Sequence, residues 1–223
     1  LIIQPLYLYF DFSGYTDIAI GVAKMFGINL LPNFNRPFLA ENVTTFWKRF
    51  HMSLASWFND YVFKQTSFRL RKWKKTSTIL ALLFTWGLFG IWHGAGWNFM
   101  ILGLLQAAAI LFEFYTKKFR AGLFSRIPGK ASVMISRLIT FLFYGVSLTF
   151  FFSPNFKTTQ FVFSSLVKPL DNLQGALLVG PLLFGLTLAV IMLLIEIVQE
   201  DHNQLYSKIE LQWNRYQIAR FSV

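Results

Sequence analysis

Gly87-Leu88-Phe89-Gly90-Ile91-Trp92-His93-Gly94-Ala95-Gly96-Trp97-Asn98 is the stretch that decides how this chain is read. It lies inside an apolar run, Ile79 to Phe112, that contains no charged residue. A histidine there is expensive, because a polar group taken out of water without a partner costs about 1–3 kcal/mol on protein-derived scales. His93 is also surrounded by Gly87, Gly90, Gly94 and Gly96, which let backbone approach closely or leave a helix and so make room beside the imidazole. An ionisable residue at membrane depth marks a functional site by default.

The flanks of the run set its geometry. Lys64, Arg69, Arg71, Lys72, Lys74 and Lys75 precede it; Lys117, Lys118, Arg120, Arg126 and Lys130 follow it. Two basic loops on the cytoplasmic side require the run between them to enter the membrane and return. Its 34 residues are short for two full spans of about 20 residues each. The expectation is therefore two short or broken segments that turn near Gly94–Gly96 and hold His93 deep in the membrane, beside a cavity. Glu113 closes the run at the interface.

Composition agrees with a membrane protein. The 223 residues are 55% hydrophobic and 19% aromatic but only 14% charged, about half the charged share of a soluble domain. The formal net charge of +11 does not indicate nucleic acid, because the basic residues lie between apolar runs as topogenic loops do. The basic stretch 64–75 reads first as a loop drawn to anionic lipid, and second as a docking surface for an acidic carrier or a phosphate-bearing cofactor. With no cysteine, disulfides, thiolate metal sites and a cysteine nucleophile are excluded. No metal constellation is visible. The chain opens on Leu1 with no signal peptide before it, which predicts a fragment lacking an N-terminal part.

Taken outward, Leu1 to Phe26 is a first spanning candidate that carries Asp11, Ser13 and Asp17. The two aspartates, six apart, point to roughly opposite faces of an unbroken helix. Either they cap half-helices or pair with basic residues, or a break at Gly14 turns both inward. Residues 28–40, with Pro32 and Pro37, form a cytoplasmic loop. Asn42 to Phe63 reads as one amphipathic helix with Asn42 or Thr44 as N-cap, lying in the interface. His51 falls within its apolar arc. Met134–Ser153 and Ala176–Val198 are further spans, joined by an outer loop 155–175. Glu196 lies near the inner end of the last one. The tail 199–223 reads as an interfacial or solvated helix in which His202 is solvated. The expected architecture is a single all-α membrane domain over 1–223, a multi-span bundle with interfacial and re-entrant helices around a tunnel.

Three ordered segments carry a resemblance. The first is Tyr9-Phe10-Asp11-Phe12-Ser13-Gly14-Tyr15-Thr16-Asp17 with Ala19-Ile20-Gly21. The second is Asn33-Phe34-Asn35-Arg36-Pro37-Phe38, then Phe46-Trp47-Lys48-Arg49-Phe50-His51-Met52-Ser53-Leu54, then Trp57-Phe58-Asn59-Asp60-Tyr61. The third is Gly90-Ile91-Trp92-His93-Gly94-Ala95. Together they resemble the membrane-bound O-acyltransferase (MBOAT) family, in its branch of alginate O-acetyltransferase and teichoic acid D-alanyl transfer proteins. The resemblance covers residues 1 to about 115 and beyond that is one of hydropathy only. After Tyr61 the chain departs from the alginate-type pattern, reading Val62-Phe63-Lys64-Gln65 where Pro-Leu-Gly-Gly is usual.

The resemblance implies a ring of helices around a central tunnel. It also implies transfer of an acyl group, acetyl by expectation, from a thioester donor to a hydroxyl. His93 matches the family's invariant histidine and His51 its second one; both are the candidate catalytic residues. Trp47, Asp60, Trp92 and Asn98 are the candidate substrate contacts, with Asn98 or the glycine N–H groups as oxyanion donors. The implied donor is acetyl-CoA or an acyl carrier protein on the cytoplasmic side. The implied acceptor is an extracellular or periplasmic polysaccharide, reached with a secreted acyltransferase partner, and the implied location is the plasma or inner membrane. From a different class, an intramembrane histidine with two aspartates also suits a proton-coupled transporter or flippase.

Overall fold

The computed structural model describes residues 3–166 and 176–201. By contacts the chain divides into two compact units, Leu1–Leu173 and Gln174–Val223. Among the described residues all regular structure is helical.

In the first unit, α5 (Lys75–His93) and α6 (Trp97–Phe124) form a hairpin that turns at Gly94–Gly96, and α7 (Gly129–Phe152) packs on α6. These three helices are long and apolar enough to cross a membrane. The turn falls where the sequence predicts it, but neither arm is short. The arms draw their extra turns from the flanking residues. α5 begins at Lys75 and α6 carries Lys117, Lys118 and Arg120 as helix, so only residues 125–128 connect to α7. α5 alone is about 28 Å long at the usual helical rise, and His93 is its last residue.

Two glycines set how closely the arms approach. A Cβ on Gly90 would overlap the Phe99 carbonyl, and one on Gly103 would overlap the Trp86 carbonyl. Close backbone contact at small residues is how helices gain packing where lipid removes the hydrophobic drive. At the turn end, the buried Asn98 Nδ2 donates to the Ser153 carbonyl at 2.9 Å, so the C-terminal end of α7 lies beside the hairpin turn.

α1 (Ile3–Met25) runs unbroken through Gly14. It is absent from the helices apolar enough to span, because Gln4, Asp11, Ser13, Thr16 and Asp17 dilute its apolar surface. Residues 42–63 are not one helix. They divide into α2 (Val43–Trp47), α3 (Met52–Trp57) and a π-helical turn Phe58–Phe63, with a break at 48–51. The break has a cause in the preceding loop. Asn35 N donates to the Arg49 carbonyl and Met52 N to the Asn33 carbonyl, both at 2.9 Å, so the loop pairs with backbone that a continuous helix would keep to itself. The stretch 64–75 is also helical rather than a loop, as α4 (Lys64–Arg69) and a 3-10 turn Arg71–Trp73. Likewise the expected outer loop contains α8 (Phe156–Leu166), started by Asn155 Oδ1, which accepts from Thr158 N at 3.0 Å.

Asn42 is the N-cap of α2, as its side chain suggests, accepting from Thr45 N at 2.7 Å. Glu113 completes the cap from α6. Its carboxylate accepts from the N–H groups of Val43 and Thr44 and from the Thr44 hydroxyl. Three otherwise orphaned donors at a helix N-terminus thus meet side-chain acceptors, and the carboxylate also complements the helix dipole. Beneath α2, Phe46 and Phe50 stack on each other and both meet the Tyr144 ring of α7 at a tilt. Trp47 Nε1 donates to Gln106 Oε1 of α6 at 3.1 Å in a buried pair.

The second unit contributes α9 (Ala176–Asp201), an uninterrupted helix with an apolar stretch Leu183–Val198. The tail beyond it, with His202, lies outside the described residues.

Gly103→Ala is expected to force α5 and α6 apart and cost about 1–3 kcal/mol, the usual penalty of overpacking. Gly122→Ala, on the same helix with open space around it, is expected to be neutral or stabilising by up to about 1 kcal/mol. Thermal unfolding of both variants in detergent checks the contrast.

Candidate active site

A cavity of about 420 Å³ opens in the first unit between α1, the α2–α3 break, α5 and α7. Its walls are mainly aromatic and aliphatic. The polar and titratable groups among its lining residues are Asp11 and Tyr15 of α1, His51, His93, and the ring edges of Trp47, Trp92 and Tyr144. Two histidines 42 positions apart in the sequence thus face one space.

His93 is placed by the end of α5. The helix stops because Gly94 N returns to the Ile91 carbonyl at 3.1 Å and Gly94 then turns extended. A Cβ at Gly94 would meet the Phe99 ring, so a residue without one lets the turn close there. The imidazole is boxed edge-on by Phe89 and Trp92, each at 4.6 Å between ring centroids, and by Phe151 at 5.4 Å.

His51 is placed by the break. It adopts φ 47° and ψ 52°, the left-handed region that few residues other than glycine occupy. Such backbone persists only where its surroundings over-determine it, and it concentrates at functional sites. Here the surroundings are the 33–35 loop on one side and Phe12, 4.5 Å away edge-on, on the other. Burial, with the nearby His93 as a smaller cause, holds the His51 pKa down at about 4. The ring is therefore neutral near pH 7 and has a lone pair to offer.

Of the other sequence candidates, Trp47 and Trp92 line the cavity. The Trp47 N–H is already committed to Gln106, so Trp47 offers its ring rather than a hydrogen bond. Asp60 lies elsewhere, on exposed surface. Lys64 Nζ donates to it at 2.6 Å and Asn59 Nδ2 at 2.9 Å, and the Lys64 bond holds its carboxyl below the ordinary carboxylate range. Asn98 is not among the lining residues; its Nδ2 donates to the Ser153 carbonyl. The Gly94 N–H is spent on Ile91. Among the described residues no three histidine or acidic side chains are grouped as metal ligands.

Asp11 is the lining residue the linear reading undervalued. Leu8, Asp11, Phe12 and Tyr15 all line the cavity, and their i, i+3, i+4, i+7 spacing is one helical face. Asp17, off that face, does not line it. The signal was present in the spacing of Asp11 relative to its aromatic neighbours, not in the spacing of the two aspartates.

The sequence profile of the membrane-bound O-acyltransferase family matches residues 1–153. The chain belongs to that family. It is 41% identical over 126 residues to the teichoic acid D-alanyltransferase of Bacillus subtilis, covering 52% of this chain and 31% of the relative. It is 41% identical over 106 residues to the probable alginate O-acetylase AlgI of Azotobacter vinelandii, covering 48% and 21% respectively. The peptidoglycan O-acetyltransferase of Helicobacter pylori is 28% identical over 228 aligned positions, covering 92% of this chain and 41% of the relative. The chain thus spans well under half the length of these relatives.

Two outcomes follow from this geometry. Glu113→Ala leaves the α2 N–H groups unpaired and is expected to cost about 1.5–3 kcal/mol, the range for hydrogen bonds to a charged group; chemical denaturation in detergent measures it. The depressed His51 pKa makes the unfolded chain bind more protons between its ordinary pKa of about 6.5 and about 4. Stability is therefore complete above that window and falls as pH drops through it, and His51→Gln is expected to flatten part of that fall in a series of melting curves.

Proposed function

We propose that this chain carries the reaction centre of a membrane-bound O-acyltransferase that moves an acetyl group from a thioester to a hydroxyl of a cell-envelope polysaccharide. The observation that carries the reading is the shared cavity of His51 and His93. It supplies two imidazoles, one of them neutral by its surroundings, in an aromatic space with few competing polar groups.

A sugar hydroxyl stays protonated near neutral pH and is a poor nucleophile. His93 takes that proton as the oxygen attacks the thioester carbonyl. The tetrahedral intermediate collapses, the C–S bond breaks, and the imidazolium returns its proton to the departing thiolate. The products are an ester and a free thiol, and the histidine is restored. A general base so positioned contributes about 10²–10⁴-fold. Asp11 lines the same cavity from α1. His51 orients the donor or the acceptor. Trp47 and Trp92 supply flat apolar surface for a sugar ring or an acyl group. Asp60, exposed and bonded to Lys64, and Asn98, bonded to Ser153, are given no substrate contact in this reading.

The acceptor class rests on the relatives, whose names specify alginate, peptidoglycan and teichoic acid. The donor is acetyl-CoA or an acyl carrier protein on the cytoplasmic side, which the basic residues at 69–75 and 117–120 mark. A secreted acyltransferase partner on the far side and the plasma or inner membrane complete the reading.

The test follows labelled acetyl transfer by the intact protein in detergent, with acetyl-CoA and with an acetylated carrier as donors. His93→Ala is expected to lose at least about 10²-fold in turnover while keeping its melting temperature. Undiminished transfer by that variant would overturn the assignment.

A further inference from the structure

The loop before α2 carries an asparagine whose contacts exceed what holding a loop requires. Asn33 uses its backbone carbonyl on Met52 N at 2.9 Å. Its side-chain Oδ1 accepts from Ser53 N at 3.1 Å and from the Ser53 hydroxyl at 2.6 Å. The same oxygen lies 3.5 Å from His51 Nδ1. Asn33 therefore grips the two residues that follow His51 and faces the ring itself.

We propose that Asn33 is a positioning residue that holds His51 in the Nδ1–H tautomer and so leaves Nε2 as the nitrogen with a free lone pair. A carboxamide oxygen only accepts, so Nδ1 bonds to it only as a donor, in a 3.5 Å contact that shares the oxygen with the two shorter bonds from Ser53. A neutral imidazole carries one N–H, and fixing it at Nδ1 decides what Nε2 can do. The left-handed backbone at His51 gives the arrangement its purpose. It throws the ring out of the α2–α3 path into the cavity, and Asn33 then fixes the ring's rotation and proton. This rests on reading His51 as part of the acyl-transfer site. The other titratable groups facing that space are Asp11 and Tyr15 from α1, His93 from α5 and Tyr144 from α7.

The decisive measurement reads the proton directly and needs no substrate. The intact protein is labelled with ¹⁵N-histidine, and long-range ¹H–¹⁵N spectra are recorded at neutral pH, with His51 assigned by its loss in His51→Gln. The expected pattern is an Nδ1–H imidazole, which Asn33→Ala converts to the Nε2–H form that free histidine prefers. An Nε2–H ring in the unaltered protein, or an Nδ1–H ring that persists in Asn33→Ala, overturns the proposal. Should Asn33→Ala fail to fold, Asn33→Asp keeps the acceptor but adds a charge. It is expected to retain the Nδ1–H tautomer and raise the His51 titration midpoint by at least one pH unit, whereas an unmoved midpoint overturns the proposal. Acetyl transfer separates the two readings. A switched tautomer with full turnover upholds the role of Asn33 and refutes a catalytic role for His51.

Discussion

Backbone contact between α5 and α6 at Gly90 and Gly103 is the constraint on which the rest of the first unit depends. Each carbonyl occupies the place of a missing side chain. The contact fixes the separation and rotation of the hairpin, and thus the direction in which Phe89, Trp92 and His93 leave the end of α5. The imidazole is located by packing against aromatic rings. A small change in helix spacing would pass directly into the position of the histidine, because close-packed interiors transmit displacement rather than absorb it.

α6 serves as the spine although it gives the cavity only Leu102. Gln106 receives the indole N–H of Trp47, and Glu113 caps α2 one helical stretch further along. These two side chains attach the short α2 to a helix long enough to cross a membrane. His51 follows four residues after Trp47 and inherits that placement. The two histidines are brought together because both of their segments are registered on α6, one through glycine contact and the other through buried polar bonds. Their meeting does not depend on any bond from one to the other.

The parts legible in the sequence were those set by pattern or by local chemistry. The turn at Gly94–Gly96 followed from basic flanks around an uncharged run. Asn42 as a cap followed from its type and place. Three motif segments were enough to name the family that residues 1–153 match. Illegible were the features decided by partners remote in the chain. Periodicity over 42–63 supported one helix, and backbone bonds with Asn33 and Asn35 take up its broken turn at His51. Glu113 looked like the polar end of an apolar run because its partners lie about 70 positions away. Apolar length undercounted α5 and α6, since a helix continues into charged sequence at no cost where water or headgroups receive the side chains. Asp60 stood inside a motif and Asn98 three residues beyond one, and neither motif membership nor nearness in sequence says which residues reach the cavity.

The distances along the chain that Glu113 and Gln106 bridge also impose an order of assembly. Residues 43–47 leave the ribosome well before 106 and 113, and a five-residue helix has no stability of its own. Until α6 has entered the bilayer, the Val43 and Thr44 amides have no carboxylate and the Trp47 indole no amide oxygen. The segment bearing His51 therefore cannot take its observed place before those acceptors are made. The walls of the cavity are thus joined late: a stretch of chain made early takes its place only against helices made after it.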